Sequence, residues 1–236
     1  MFNPHPQVQY LPLGEHAACV VIDDALLAPE RLPAFAQAYR EDFQAAPPAV
    51  FPGLQLRMPE EFTALLHDVF RDHARRALGA RRVLRSASRL SLLTSPIAAL
   101  APTHWIPRRE RTFAPEQCIA VAELFLFHDT ALGGTHFFAP RVSAQALEQL
   151  EHDADALSPD AFSQRHAIAA GFPHASSAYF AHVRTVPARW NRLLIHDGAA
   201  FHAPAIADPS RLATDPRQGR LTLQAVLVCS RNRVAW

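Results

Sequence analysis

Short apolar runs separated by turn-forming residues dominate the second half of the chain and predict β-strands. We predict strands at residues 18–22, 83–94, 118–127, 181–186, 193–195 and 221–229. In the last run, Arg220, Thr222 and Gln224 alternate with apolar residues, so side chains of opposite character point to opposite faces. This alternation predicts a strand that borders a polar pocket on one side and a core on the other.

Apolar residues recur at helical spacing in two N-terminal segments, which begin near Pro29 and Pro59. The second of these helices is expected to end near Gly79 and to bury Phe62, Leu65, Leu66, Val69 and Phe70. Both helices are expected to pack on the outside of a sheet. Two further helices are predicted at 143–157 and 158–171, each opened by a serine cap, and together they form a helical insertion at 143–171.

Two polar residues stand out in the stretch 191–229. His202 follows the turn Asp197-Gly198, and Arg220 opens the last strand directly after Gly219. Neutral imidazole suits ferrous iron, which proteins commonly hold with two histidines and one carboxylate. The planar guanidinium fork of arginine suits a carboxylate, which it binds through two parallel hydrogen bonds.

This stretch resembles the iron- and 2-oxoglutarate-dependent dioxygenases, most closely a bacterial branch related to the prolyl hydroxylases. The similarity runs nearly end to end and is weakest at 141–189. The motifs that carry it are Asp197-Gly198-x3-His202, Gly219-Arg220-Leu221-Thr222 and Gly133-Gly134-Thr135-x-Phe137, together with VIDDALLAPERL and FPGLQL near the N-terminus. The resemblance implies a mainly β fold with helices, a double-stranded β-helix (jelly roll) over residues 1–236, with flanking N-terminal helices.

The resemblance also implies an oxidoreductase that uses Fe(II) and 2-oxoglutarate to oxidise a C–H bond of a small-molecule or peptide substrate. His104 and His202 would bind the metal, and Arg220 would bind 2-oxoglutarate. The usual His-x-Asp motif reads His104-Trp105-Ile106 here, so the carboxylate ligand is missing. Either the metal binds weakly through two histidines or another side chain completes the site. The candidates for a third ligand are His128, His136, His196, Glu110, Glu123 and Asp129.

The missing carboxylate leaves a second function open, a non-catalytic jelly-roll binding or accessory protein descended from such an oxygenase. Composition argues against two other classes, nucleic-acid-binding proteins and membrane-spanning proteins. The formal net charge of +1 argues against a nucleic-acid partner, and no run approaches the roughly 18 apolar residues of a membrane helix. The basic doublets Arg81-Arg82 and Arg108-Arg109 are interpreted as solvated surface.

Cysteine usage and the first residues of the chain give no sign of secretion. Cys19, Cys118 and Cys229 are widely spaced and odd in number, so they predict neither a disulfide framework nor a paired metal motif. The opening MFNPHPQVQYLPLGEH lacks a basic start followed by an apolar run, so no signal peptide is predicted. We therefore expect a cytoplasmic protein.

Overall fold

The computed structural model describes residues 2–14, 17–112 and 114–231. These residues form mainly β structure with some helices, and all sheet pairings are antiparallel. The strands are β1 (Gln7–Pro12), β2 (Ala18–Asp23), β3 (Gln44–Ala45), β4 (Gly53–Arg57), β5 (Ala80–Leu93), β6 (Gln117–Phe125), β7 (Gly134–Pro140), β8 (Phe180–Val186), β9 (Leu193–Asp197), β10 (Phe201–Ala205) and β11 (Arg220–Arg231). The α-helices are α1 (Arg31–Ala38), α2 (Glu60–Val69), α3 (Ala144–Ala156) and α4 (Pro159–His166).

The strands of the described chain form two sheets. The larger has the order β1-β2-β9-β6-β11-β5-β4-β3, and the smaller has the order β10-β7-β8. The chain passes from the larger sheet to the smaller between β6 and β7 and again between β9 and β10. Strand β11 lies in the middle of the larger sheet, where Gln224 is opposite Glu123 of β6 and Thr222 is opposite Ser91 of β5.

Helices α1 and α2 pack on one face of the larger sheet, as the sequence predicted. Leu32 of α1 and Phe62 and Leu66 of α2 belong to the same buried cluster as Val20 and Leu223 of the sheet. Full burial of each such apolar side chain contributes roughly 1.5–3 kcal/mol to stability.

The prediction that Leu65 is buried is wrong, because its side chain is 37% exposed. The buried stripe of α2 runs through Phe62, Leu66 and Val69, at the i, i+4 and i+7 positions that share one helix face. Leu65 lies at the edge of that stripe, where the helix turns towards solvent.

Helices α3 and α4 connect β7 to β8. The hydroxyl oxygens of Ser143 and Ser158 accept hydrogen bonds from Ala146 N and Ala161 N, which confirms both predicted caps. Helix α4 ends at His166, earlier than predicted, because Ala167 adopts a left-handed conformation with φ 53°.

The apolar faces of these two helices pack into a second buried cluster. Leu147, Leu150 and Phe162 contact it from the helices, and Trp105 and Ile106 contact it from the segment before β6. The segment that carries Ile106 is therefore anchored by the helical insertion. No helix of the described residues is long and apolar enough to cross a membrane.

Candidate functional site

A cavity of about 210 Å³ is lined by residues of both sheets. Arg220 and Gln224 reach it from β11, and His202 reaches it from β10. His104 lines it from the short 3-10 turn Pro102–His104 that precedes β6. The cavity thus brings together His104, His202 and Arg220, the three residues to which the resemblance assigns iron and 2-oxoglutarate.

Arg220 is almost completely buried at the start of β11 and is held by the protein itself. Its Nε donates to Leu132 O at 3.0 Å, and its Nη2 donates to Gly134 O at 3.1 Å and to Glu123 Oε1 at 3.2 Å. The other carboxylate oxygen of Glu123 accepts from Thr135 Oγ1 at 2.7 Å. Glu123 therefore balances the charge of Arg220, and only Nη1 has no hydrogen-bond partner among the described residues. Bidentate binding of a carboxylate by this guanidinium would require it to break hydrogen bonds that it already makes within the protein.

A row of polar side chains crosses the larger sheet beside the cavity. Arg89 Nη1 donates to Gln55 Oε1 at 3.0 Å, Gln55 Nε2 donates to Ser91 Oγ at 3.4 Å, and Ser91 Oγ donates to Gln224 Oε1 at 3.2 Å. The hydroxyl of Thr222 is buried and has no hydrogen-bond partner within the described ranges. The alternation along β11 is confirmed, and Thr222 supplies an unused hydroxyl near this row.

Two buried histidines, His196 on β9 and His202 on β10, lie side by side with ring centroids 4.6 Å apart. The Nδ1 of His202 donates to Ala200 O at 3.0 Å, and the Nδ1 of His196 donates to Asp197 O at 2.9 Å. Burial lowers the pKa of both imidazoles, and for His202 the pKa falls well below its ordinary value. Both rings are therefore neutral at physiological pH.

His104 is also held neutral. Its Nε2 donates a short hydrogen bond to Pro48 O, so Nδ1 is the only ring nitrogen that has a lone pair available to a metal. Burial lowers the pKa of His104, and the positive charge of Arg108 lowers it further.

Arg108 lies beside His202 because the two residues pair through their backbones. Arg108 N donates to His202 O at 2.9 Å, and His202 N donates to Arg108 O at 2.8 Å. The side chain then places its Nε 3.4 Å from the Nε2 of His202, and its Nη1 donates to Val50 O at 3.3 Å. The guanidinium covers the lone pair through which His202 would bind a metal.

Three of the six candidates for a third metal ligand line the cavity, namely His196, Glu110 and Glu123. The other three lie elsewhere. His128 stacks on Trp190 with ring centroids 4.3 Å apart.

His136 and Asp129 are engaged outside the cavity. His136 faces a second, larger cavity and contacts Thr185 Oγ1 at 2.8 Å. Asp129 caps the 3-10 turn Thr130–Leu132 and forms an ion pair with Arg211 at 2.6 Å.

Fe(II) does not fit this arrangement of side chains. Across residues 2–14, 17–112 and 114–231, no three His, Cys, Asp or Glu side chains are grouped so that they could hold a metal ion. Arg108 donates to the metal-facing nitrogen of His202. Ile106, at the position of the usual carboxylate, packs in the apolar cluster of Trp105 and Phe162. Metal binding by His104 and His202 stays a prediction, and it requires these side chains to rearrange.

Arginine side chains give the cavity a positive character that sequence reasoning missed. Arg89, Arg108 and Arg220 line it together with the two acids Glu110 and Glu123, so one positive charge is in excess. Arg220 pairs with Glu123, whereas neither Arg89 nor Arg108 forms an ion pair with a described residue.

The interpretation of the Arg108-Arg109 doublet as solvated surface is wrong for both members. Arg108 is partly buried and lines the cavity, whereas the Arg109 side chain is 25% exposed, lies outside the cavity and pairs with Glu151 at 3.1 Å. The only signal in the sequence was the closeness of Arg108 to His104, and the pairing with His202 spans too many residues to be read from a pattern.

One family of proteins matches the chain over most of its length. It is described as a family of unknown function (DUF6445), and it matches residues 4–227. No curated protein matches the chain. Every residue that lines the cavity lies inside the matched range. The chain therefore belongs to this family of unknown function, DUF6445.

Proposed function

We propose that the protein binds a small carboxylate-bearing molecule in the cavity between its sheets, without a firmly held metal ion. The observation that carries the proposal is the state of Arg108. Its guanidinium is partly buried, lines the cavity and forms no ion pair with a described residue. A cation removed from water is stabilised when an anion with hydrogen-bond acceptors binds beside it.

The rest of the cavity supports an anionic ligand. Arg89 also lines the cavity and is a second cation without an ion pair to the described chain. The volume of about 210 Å³ lies below the roughly 300 Å³ at which pockets for drug-sized ligands begin, and this favours a small metabolite over a peptide. A short dicarboxylate has one anionic group for each unpaired arginine.

The proposed fold is a jelly roll. Its support is the pair of antiparallel sheets, the four crossings of the chain between them and the cavity that residues of both sheets line. In this fold the helical insertion covers one side of the smaller sheet, and the N-terminal helices cover the outer face of the larger one.

A second candidate, the Fe(II)- and 2-oxoglutarate-dependent oxygenase, is favoured by one observation. His104, His202 and Arg220 line the same cavity, although they are far apart in the sequence. In such an enzyme the metal supplies oxygen activation, and the protein positions the co-substrate and the substrate. Arg108 would have to leave the Nε2 of His202 before that nitrogen could bind a metal.

Titration calorimetry with 2-oxoglutarate and with succinate, in a metal chelator, tests the proposal. We expect saturable binding of a dicarboxylate without metal, and no succinate formed from 2-oxoglutarate when Fe(II) and oxygen are supplied. Binding that appears only with Fe(II), together with succinate formation, would establish the oxygenase instead. Failure of every dicarboxylate to bind in either condition would refute both.

A further inference from the structure

Cys118 and Cys229 face each other across two neighbouring strands. They are register partners in the ladder of β6 and β11, near the end of the larger sheet. The backbone hydrogen bonds Leu126 N to Leu221 O and Arg231 N to Glu116 O belong to the same ladder. Because the two kinds of pair alternate in an antiparallel ladder, Cys118 and Cys229 form a hydrogen-bonded pair.

This pairing gives the two cysteines a separation that suits a disulfide. Hydrogen-bonded pairs hold their Cα atoms about 5.5 Å apart, and the commonest Cα separation in disulfides is about 5.5–6 Å. Their ladder continues without a register shift from Thr222 to Ser230. The Cβ atoms of directly opposite residues lie about 4.5–5.5 Å apart, whereas those of a disulfide lie about 3.5–4.5 Å apart, so the two strands must move about 1 Å closer to join the sulfurs.

The two thiols differ in reactivity, and Cys118 is the better nucleophile. The neighbouring thiol of Cys229 is the largest of the influences that lower the pKa of Cys118 to about 7, and Arg231 lowers it as well. The proximity of Cys118 in turn raises the pKa of Cys229, whose thiol donates to Leu227 O at 3.6 Å. Cys118 also borders a surface cavity of about 350 Å³ that is lined by Arg109, Arg111 and Arg231. Cys118 is only 6% exposed and Cys229 is fully buried, so an oxidant must reach the pair through this cavity and attack at Cys118.

We propose that Cys118 and Cys229 form a reversible disulfide when the protein meets a peroxide. The Cys118 thiolate attacks one oxygen of hydrogen peroxide, the O–O bond breaks, and hydroxide departs. Cys118 is then a sulfenic acid. The sulfur of Cys229 then attacks that of Cys118, the S–O bond breaks, and water leaves with the proton of the thiol. In total two thiols and one peroxide give one disulfide and two waters, and a dithiol reductant reverses the reaction.

The disulfide would join the two central strands that carry the cavity. Strand β6 bears Glu123 and β11 bears Arg220, so the link closes a long loop across the same pair of strands. A link between residues far apart in the sequence stabilises the folded chain by restricting the unfolded one. This inference does not depend on which ligand the cavity binds.

Cys19 is a control within the chain. Like Cys229 it is completely buried, but on β2 it lies opposite His196 rather than a second cysteine, and burial raises the pKa of its thiol to about 12. Cys19 belongs to a different apolar cluster from the other two cysteines. We expect it to remain a free thiol.

Mass spectrometry of the full chain after treatment with hydrogen peroxide tests the proposal. We expect the intact mass to fall by two hydrogens, a non-reduced digest to contain one peptide pair that links Cys118 to Cys229, and dithiothreitol to reverse both changes. Cys19→Ala should keep the link, and Cys118→Ala and Cys229→Ala should each abolish it. If either of these variants does not fold, the digest of the unmodified chain decides alone. Three free thiols after oxidation, a link to Cys19, or sulfinic acid on Cys118 without a link would overturn the proposal.

Discussion

Replacing Ile106 by Asp restores the residue of the oxygenase motif, and we expect it to destabilise the fold rather than to repair a metal site. Ile106 is 6% exposed and packs among Trp105 and Phe162. The substitution removes an aliphatic side chain whose burial stabilises by roughly 1.5–3 kcal/mol and places a carboxylate in an apolar cluster.

Arg108, two residues away, can pair with this new carboxylate only in part, because its guanidinium already contacts His202. An uncompensated buried charge costs about 3–5 kcal/mol, so we expect Ile106→Asp to destabilise the fold by that amount. For a chain of this size, such a loss lowers Tm by about 6–20 °C.

Urea denaturation followed by circular dichroism measures this loss. Ile106→Val is the matched control, and its expected cost is about 0.5–1.5 kcal/mol. Adding Fe(II) should leave the Tm of Ile106→Asp unchanged. An aspartate variant as stable as the unmodified protein, or one that Fe(II) stabilises strongly, would refute both the packing argument and the poor fit of the metal.

Three further substitutions or conditions test charged groups, two of them at the cavity and one, Asp23, outside it. The three cavity histidines have lowered pKa values, so below about pH 6.5 the unfolded chain binds more protons than the folded one, and thermal denaturation should show stability falling as the pH drops. Asp23 accepts hydrogen bonds from Arg192 at 2.6 and 2.8 Å, which lower its pKa. Asp23→Asn should therefore cost about 1 kcal/mol in urea at neutral pH, allowing for partial exposure, and this difference should shrink below about pH 4 and vanish once the pH has fallen through the lowered pKa of Asp23 in the folded chain. Arg220→Ala should cost about 3–5 kcal/mol because it leaves Glu123 unpaired, and adding Glu123→Gln should recover part of the loss in the same assay.

Local patterns predicted the parts of the fold that local physics decides. The serine caps of α3 and α4 follow from the need of the first helical N–H groups for an acceptor. The polar face of β11 follows from the two-residue period of a strand. Strand β10 was missed because Pro204 lies inside it, and a proline normally argues against a central strand.

The sequence predicted only those residues of the candidate site that lie in a recognisable local motif. His104, His202 and Arg220 were found by resemblance, and the structure brings them to one cavity. The pairing of Arg108 with His202 joins segments 94 residues apart. No period or cap reports such a contact, and so the positive charge beside the histidines could not be predicted.

A metal-free titration with the dicarboxylate that binds best tests the carboxylate site by comparing substitutions of two neighbouring arginines. Arg108→Ala removes a cation that lines the cavity, whereas Arg109→Ala removes one that pairs with Glu151 outside it. A hydrogen bond to a charged group contributes about 1.5–3 kcal/mol, which corresponds to roughly a tenfold to hundredfold change in Kd. We predict that loss for Arg108→Ala and an affinity close to that of the unmodified protein for Arg109→Ala. Equal affinity of the two variants, with both folded, would contradict a carboxylate site built on Arg108.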